Sequence, residues 1–418
     1  MGLWQIVRRA VTLGGVAAAI AGARADWPAF RGGIAQGVSA ERGLPVEWGT
    51  ERNIAWRQAV PGVGLSSPVV SAGRVFVTSA LRDETGSPGV FLFSFVAGSG
   101  RMEWRTLLFP TGELPPREGH ERNVAANATV IAEDGRLYAY VGHHGAICLG
   151  RDGTVHWRTN RLRFDPVPPN GFSPLVSDGL LVFAADCATA PFVMALDQRT
   201  GLPRWKVPRL VPGKMKFTLG APLAIAAGGR RQIVVVGAGA VTAHDPADGR
   251  EIWRVRVARD SAGPQPLFAH GLLFVSAGYL RTDLLAIRPD GNGDVTNTHV
   301  VWRVSKGAPL TPALVAVGDE LFGVNDAGVA TCWEAATGRV WWQERLPGNY
   351  SAAPIAGDGR IYFLNEEGLT TVVRAAREFS VVARNPLGEM AIATPAVSDG
   401  AIFIRTAGHL WRIGGGPR

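Results

Sequence analysis

The sequence predicts an all-β chain: an eight-bladed β-propeller of four-stranded blades, with the last blade closed by an N-terminal strand. Three observations lead there. A tryptophan recurs at intervals of 40 to 53 residues, at Trp56, Trp104, Trp157, Trp205, Trp253, Trp302 and Trp342. Five of these have a glycine four residues earlier (Gly100, Gly153, Gly201, Gly249 and Gly338). Between them run short apolar stretches separated by Gly turns, as strands require. Repeats of about 40–50 residues carrying four strands are propeller blades.

Each repeat opens on a small residue and Pro, then alternates apolar runs with D-G or x-G turns. The clearest copies start at Ser66, Phe172, Thr311, Ala352 and Thr394. Two-residue D-G turns favour tight hairpins, since both central residues take positive φ. Full copies start near Ser66, Asn127, Phe172, Gly220, Gly263, Leu310 and Ser351. In the seventh, Val382 takes the place of Trp. The last copy, Ala393 to Ile413, has three strands. The stretch Asn53 to Gln58, with Trp56, is a fourth strand lacking the other three. The two fragments complete one blade and leave no open edge. The tryptophans are read as packing between neighbouring blades.

Composition agrees. The 418 residues include 53 Gly and 28 Pro, nearly a fifth of the chain, against ~12 % in an average protein. Hydrophobic content of 46 % with 19 % charged residues excludes disorder and coiled coil. The net charge of +8 is spread along the chain without a basic run, so nucleic-acid binding is not indicated.

Residues 1–25 read as a signal peptide. Arg8-Arg9 open it, Ala10 to Ala23 form a small apolar stretch, and Ala23-Arg24-Ala25 is an A-x-A cleavage site before Asp26. That stretch is too short to span a bilayer. The paired arginines fit twin-arginine export, Ala10-Val11-Thr12 fits it poorly, and both routes stay open. The mature chain is expected to be soluble, periplasmic or secreted, and monomeric. It divides into a lead-in, 26–50, and the propeller, 51–414. Cys148, Cys187 and Cys332 form no C-x-x-C pair and read as buried free thiols.

These copies resemble the bacterial pyrroloquinoline-quinone-like (PQQ-like) propeller repeat, found in quinoprotein dehydrogenases and in BamB-like envelope proteins. The resemblance covers about residues 50–414. Trp27-Pro28-Ala29-Phe30-Arg31-Gly32, with Gly37-Val38-Ser39, is similar to the lead-in of exported stand-alone members. The resemblance implies the fold and two functional classes. One is a non-catalytic propeller binding a protein, peptide or polymer partner in the cell envelope, with no cofactor. The other is a dehydrogenase using PQQ with calcium, and the adjacent-cysteine pair that many of those enzymes carry is missing here.

Residues that could carry chemistry are few. Asp290, Asn292 and Asp294 alternate like calcium ligands, but Val295 and Val301 stand where an EF-hand needs Gly and Glu, so a solvated loop is the better reading. His143 and His144 are expected to point to opposite sides of a strand. Glu118, Glu121 and Glu389 could supply an acid/base pair. Gly237 to Ala240 reads as a hairpin turn. The expected working surface is the face carrying the loops that lead into each blade and those between second and third strands. Its longest stretches, Leu81 to Val90 and Thr106 to Ala126, would form a raised wall. Candidate ligand-binding residues there are His120, Arg122, Asn123, His143, Tyr279, Arg281, Asn325, Tyr350 and Asn365. The two arginines favour a carboxylate-bearing partner.

Overall fold

The computed structural model describes residues 25–33, 35–112, 124–160, 173–185, 190–210, 220–257, 263–278 and 282–415. Eight sheets follow one another in chain order, each built on four antiparallel strands and two of them extended by a short parallel fifth, and form the predicted propeller. Blade one runs Val69–Ser71, Arg74–Arg82, Pro88–Val96 and Met102–Pro110, from the channel outward. Blade seven runs Ile355–Gly357, Arg360–Leu364, Leu369–Arg374 and Val381–Pro386.

Blade eight is split as the two fragments require. Ala396–Ser398, Ala401–Arg405 and His409–Gly414 supply three strands, and Ile54–Ala59 supplies the outermost. The closing pair is antiparallel, with Arg57 opposite Trp411 and Ala59 opposite His409. The hairpins between first and second strands use the expected turns, for example Asp134-Gly135 at φ 48° and 78°. Two consecutive positive φ values match the twist of the flanking strands.

The core is a series of apolar layers between adjacent blades. One layer joins blades one and two through Phe76, Leu92, Leu137 and Ile147. Another joins six and seven through Phe322, Trp342 and Phe363. The repeated tryptophans lie in these seams. Nε1 of Trp56, Trp104, Trp157, Trp205, Trp302 and Trp342 each donates to a carbonyl of the following blade, at 2.9–3.1 Å.

Trp253 is the exception. Its Nε1 donates to Gln232 Oε1 within its own blade, and the seam beside it is filled by residues 288–299. There Gly293–Asp294 adds a short parallel strand to the outer strand of blade four. The calcium-like loop is therefore a clasp between blades. Asn292 Oδ1 accepts from Arg230 at 2.8 Å, and the Asp294 carboxylate accepts from Thr296 and pairs with Arg256 at 2.7 Å.

Cys148 and Cys332 are buried free thiols in third strands of blades two and six, on opposite sides of the ring. Cys187 and the leader before Ala25 lie outside the described residues. No helix among the described residues is long and apolar enough to cross a membrane.

Candidate functional site

The lead-in gives the ring two unequal faces. Trp27 exchanges both backbone hydrogen bonds with Val70 at the trailing end of blade one's innermost strand, and Pro28 O accepts from Ala132 N of blade two. Gln36 Nε2 donates to Phe268 O of blade five, and Arg31 Nη2 to Leu314 O of blade six. Val38–Ser39 then lies parallel to Ile355–Gly357 of blade seven, and the Glu41 carboxylate accepts from Gly400 N of blade eight at 2.5 Å. The segment crosses the channel and closes it from that side. It leaves along blade seven, where Trp48 stacks on Tyr362 and its backbone N–H donates to Asn385 Oδ1 at 3.0 Å.

Above this floor a cavity of about 220 Å³ opens on the opposite face. Its wall is a ring of one residue per blade, two positions ahead of the innermost strand. Six of these precede a proline: Ser67, Ser173, Ala221, Gln265, Ala353 and Thr394; Thr129 and Ala313 hold the place in blades two and six. A residue before proline is confined to extended backbone, which aligns the side chains from blade to blade. Three of the eight steps around the ring are laced by a hydroxyl of the next blade. Ser67 N donates to Thr129 Oγ1 at 3.1 Å, Thr129 N to Ser173 Oγ at 3.0 Å, and Ala353 N to Thr394 Oγ1 at 3.0 Å. Phe30 of the lead-in also lines the cavity. Sequence reasoning missed this ring, although its signal was the residue before the proline in six of the eight repeats.

The raised wall comes from strand length. Leu81 to Val90 is the end of a hairpin whose strands run nine residues each, with Arg82 opposite Pro88. Second and third strands elsewhere have five to eight residues, so at ~3.3 Å per residue this hairpin is longer by about 3 to 13 Å. Asp83 Oδ1 fixes the turn by accepting from Thr85 N and Ser87 N, both at 2.9 Å. Thr106 to Pro110 is likewise strand.

The predicted site residues divide. His120, Arg122, Asn123, Tyr279 and Arg281 lie outside the described residues, as do Glu118 and Glu121. His143 and His144 occupy a 3-10 turn, Gly142–His144, rather than a strand. Their rings therefore sit side by side at 4.1 Å between centroids, correcting the opposed orientation expected from sequence. Burial holds both below the usual imidazole range, and His143 adds to the effect on His144. Asn325 and Asn365 cap equivalent turns in blades six and seven. Their Oδ1 atoms accept from Val329 N at 2.8 Å and Leu369 N at 2.7 Å. Tyr350 is fully buried between those blades, and burial raises its phenol. None of these five lines the cavity. Glu389 is taken up by Thr406 and His409 of blade eight, at 2.7 and 2.9 Å.

The profile of a family described as outer membrane protein assembly factor BamB matches residues 94–294 and 293–413. The chain belongs to that family. The crystal structure of BamB from Moraxella catarrhalis superposes with a TM-score of 0.59 at 15 % identity, over 87 % of this chain and 100 % of that one. A computationally designed protein, Ika8, superposes with a TM-score of 0.58 at 10 % identity, over 85 % and 99 %. A europium-containing methanol dehydrogenase gives 0.53 at 11 %, over 92 % and 90 %. Comparison with curated protein sequences finds no match. At such identities the superpositions speak for the BamB-type fold, and one ring carries unlike functions.

Proposed function

We propose that this BamB-family chain is an exported, non-catalytic propeller that binds a protein, peptide or polymer partner in the cell envelope. The observation that carries this reading is the one-sidedness of the ring. Its channel is closed by the lead-in and open on the face with the tall hairpin, so one face is left for a partner. The family description, an outer-membrane assembly factor, supports an envelope role. Cleavage after Ala25 would leave the contacts of Asp26 intact: its carboxylate accepts from Ser71 Oγ at 2.8 Å and Ala72 N at 3.0 Å.

The dehydrogenase alternative asks the same cavity to hold a quinone and a calcium ion. Calcium takes six to eight oxygen ligands, carboxylates prominent among them, and the described lining contains no carboxylate. The volume is also below the ~300–1,000 Å³ of pockets that enclose drug-sized ligands. These residues do not fit the group.

The test is capture of partners from an envelope fraction by the mature protein. The double variant Arg122→Ala, Arg281→Ala should fold normally and lose the partner, while substitutions on the outer strands keep it. The reverse result moves the site elsewhere, and dye-linked turnover that rises with added PQQ and calcium overturns the binding role.

A further inference from the structure

The hydrogen bonds of the cavity ring leave donors over. Thr129, Ser173 and Thr394 each accept a backbone N–H through the side-chain oxygen. A hydroxyl that accepts still has its own O–H to give, and none of the three has an acceptor among the described residues. All three are buried, and all three line the cavity. Gln265 is 5 % exposed and leaves Oε1 without a partner. A half-turn of its amide would put NH₂ donors in the same place.

The charge beneath points the same way. Arg31 is 1 % exposed, and its guanidinium hydrogen-bonds only to the carbonyls of Gln36 and Leu314 among the described residues. Leu314 directly follows Ala313 in the cavity wall. Nε and Nη1 of Arg31 are buried without a partner, and no described carboxylate pairs with it. Burial lowers this guanidinium to about 9, which still leaves it charged at neutral pH. A cation shielded from water acts over a longer range than one at the surface. Spare donors and a cation below are complementary to an anion, and the carboxylates behind the wall, Asp326 and Glu366, are already taken up by Thr311 at 2.5 Å and Ser351 at 2.6 Å.

We propose that the cavity is a carboxylate site, entered from the open face, whose occupant is the free C-terminus of a polypeptide chain. This rests on the reading of that face as the partner-binding one. A cavity closed at its floor and about one residue in volume admits a chain end and excludes the middle of a chain. Capture of a C-terminal carboxylate by converging donors is a known mode of peptide recognition.

The experiment is calorimetric titration of the mature protein with N-acetyl-trialanine as the free acid, with its C-terminal amide, and with acetate. The acid should bind saturably and the amide at least tenfold more weakly. Arg31→Gln should weaken the acid at least tenfold, and Ala313→Leu, which fills the cavity without removing a hydrogen bond, should abolish binding. If Arg31→Gln fails to fold, Ala313→Leu carries the test. Equal binding of acid and amide, or no binding of the acid at millimolar concentration, overturns the proposal. Acetate binding as tightly as the peptide keeps the carboxylate chemistry and overturns the chain-end occupant. Partner capture that survives in Ala313→Leu, with no peptide-acid binding in the wild type, overturns this site and leaves the open-face reading standing. Loss of that reading with acid binding intact does the opposite.

Discussion

Gly249 lies against the indole of Trp205 in the preceding blade, so closely that a Cβ there would stand 2.5 Å from Cε3. The indole N–H of Trp205 donates to Pro246 O of the same turn at 2.9 Å. The G-x-x-x-W spacing thus joins two blades: the glycine seats the previous blade's tryptophan, and the tryptophan four residues on belongs to its own. Gly100, Gly153, Gly201 and Gly338 repeat the arrangement against Trp56, Trp104, Trp157 and Trp302.

Gly249→Ala should therefore be costly although it adds a single methyl group. The position has φ +76°, strained for any L side chain, and the new Cβ would push into a ring. Together these predict a loss of about 2 kcal/mol, measured by denaturant unfolding. An unchanged midpoint would mean that the seam has room to spare.

Trp56→Ala tests the closure of the ring. The ring of Trp56 lies 6.0 Å from Phe403 of its own blade, and its Nε1 donates to Ala97 O of blade one at 2.9 Å. The expected cost is about 3 kcal/mol, with amide exchange of Leu410 and Trp411 accelerating before that of the other blades. Uniform acceleration around the ring would count against a locally closed blade eight.

His244 should make the protein sensitive to mild acid. Burial, only partly offset by Gly249 O, holds its imidazole at about 4, against an ordinary 6.5. Gly249 O can only accept, so Nδ1 carries the proton and Nε2 accepts from Thr242, each at 2.9 Å. Between pH 6.5 and 4 the unfolded chain binds a proton that the folded chain refuses. Stability is then complete above 6.5 and falls by up to about 3 kcal/mol on the way down to 4. His244→Gln should be less stable at pH 7.5 but flatter across that window. Parallel curves for the two proteins would sink the assignment.

Glu389 governs a lower window. Burial would raise its carboxyl, but hydrogen bonds from Thr406, His409 and the Gly408 N–H together bring it below its ordinary 4.5. A lowered carboxylate contributes its stability above 4.5 and loses it as pH falls through the folded-state value. Glu389→Gln should weaken the protein at neutral pH and flatten the part of the acid limb below 4.5. A variant as stable as wild type at pH 7 would show the clasp between blades seven and eight to be idle.

What the sequence made legible was whatever repeats. Trp spacing, Gly-Trp pairs and D-G turns gave the blades and their number, because each copy restates the same local requirement. The lead-in was opaque for the opposite reason. Residues 26–50 have no period of their own, and partners such as Leu314 and Ala356 are some three hundred positions away. Tyr350 was placed on the rim by its position in a loop and is buried because that loop turns inward between two blades. The His143-His144 pair was misdirected by assuming strand alternation across a 3-10 turn. The cavity ring was legible in principle, as the residue before proline in six of the repeats, but its meaning depends on eight blades facing one centre.

The lead-in also sets an order of events for a newly made chain. Its hydrogen-bond partners lie at the inner edges of blades one, two and five to eight, so residues 26–45 cannot reach their final place until Gly400 has been made. Ile54–Ala59 must wait longer, for His409–Gly414. Segments made early are thus among the last to settle. A chain with such distant pairings is slow to complete and exposes unpaired edges meanwhile. Loss of even the last ten residues would leave the opening strand without a partner and the ring unclosed.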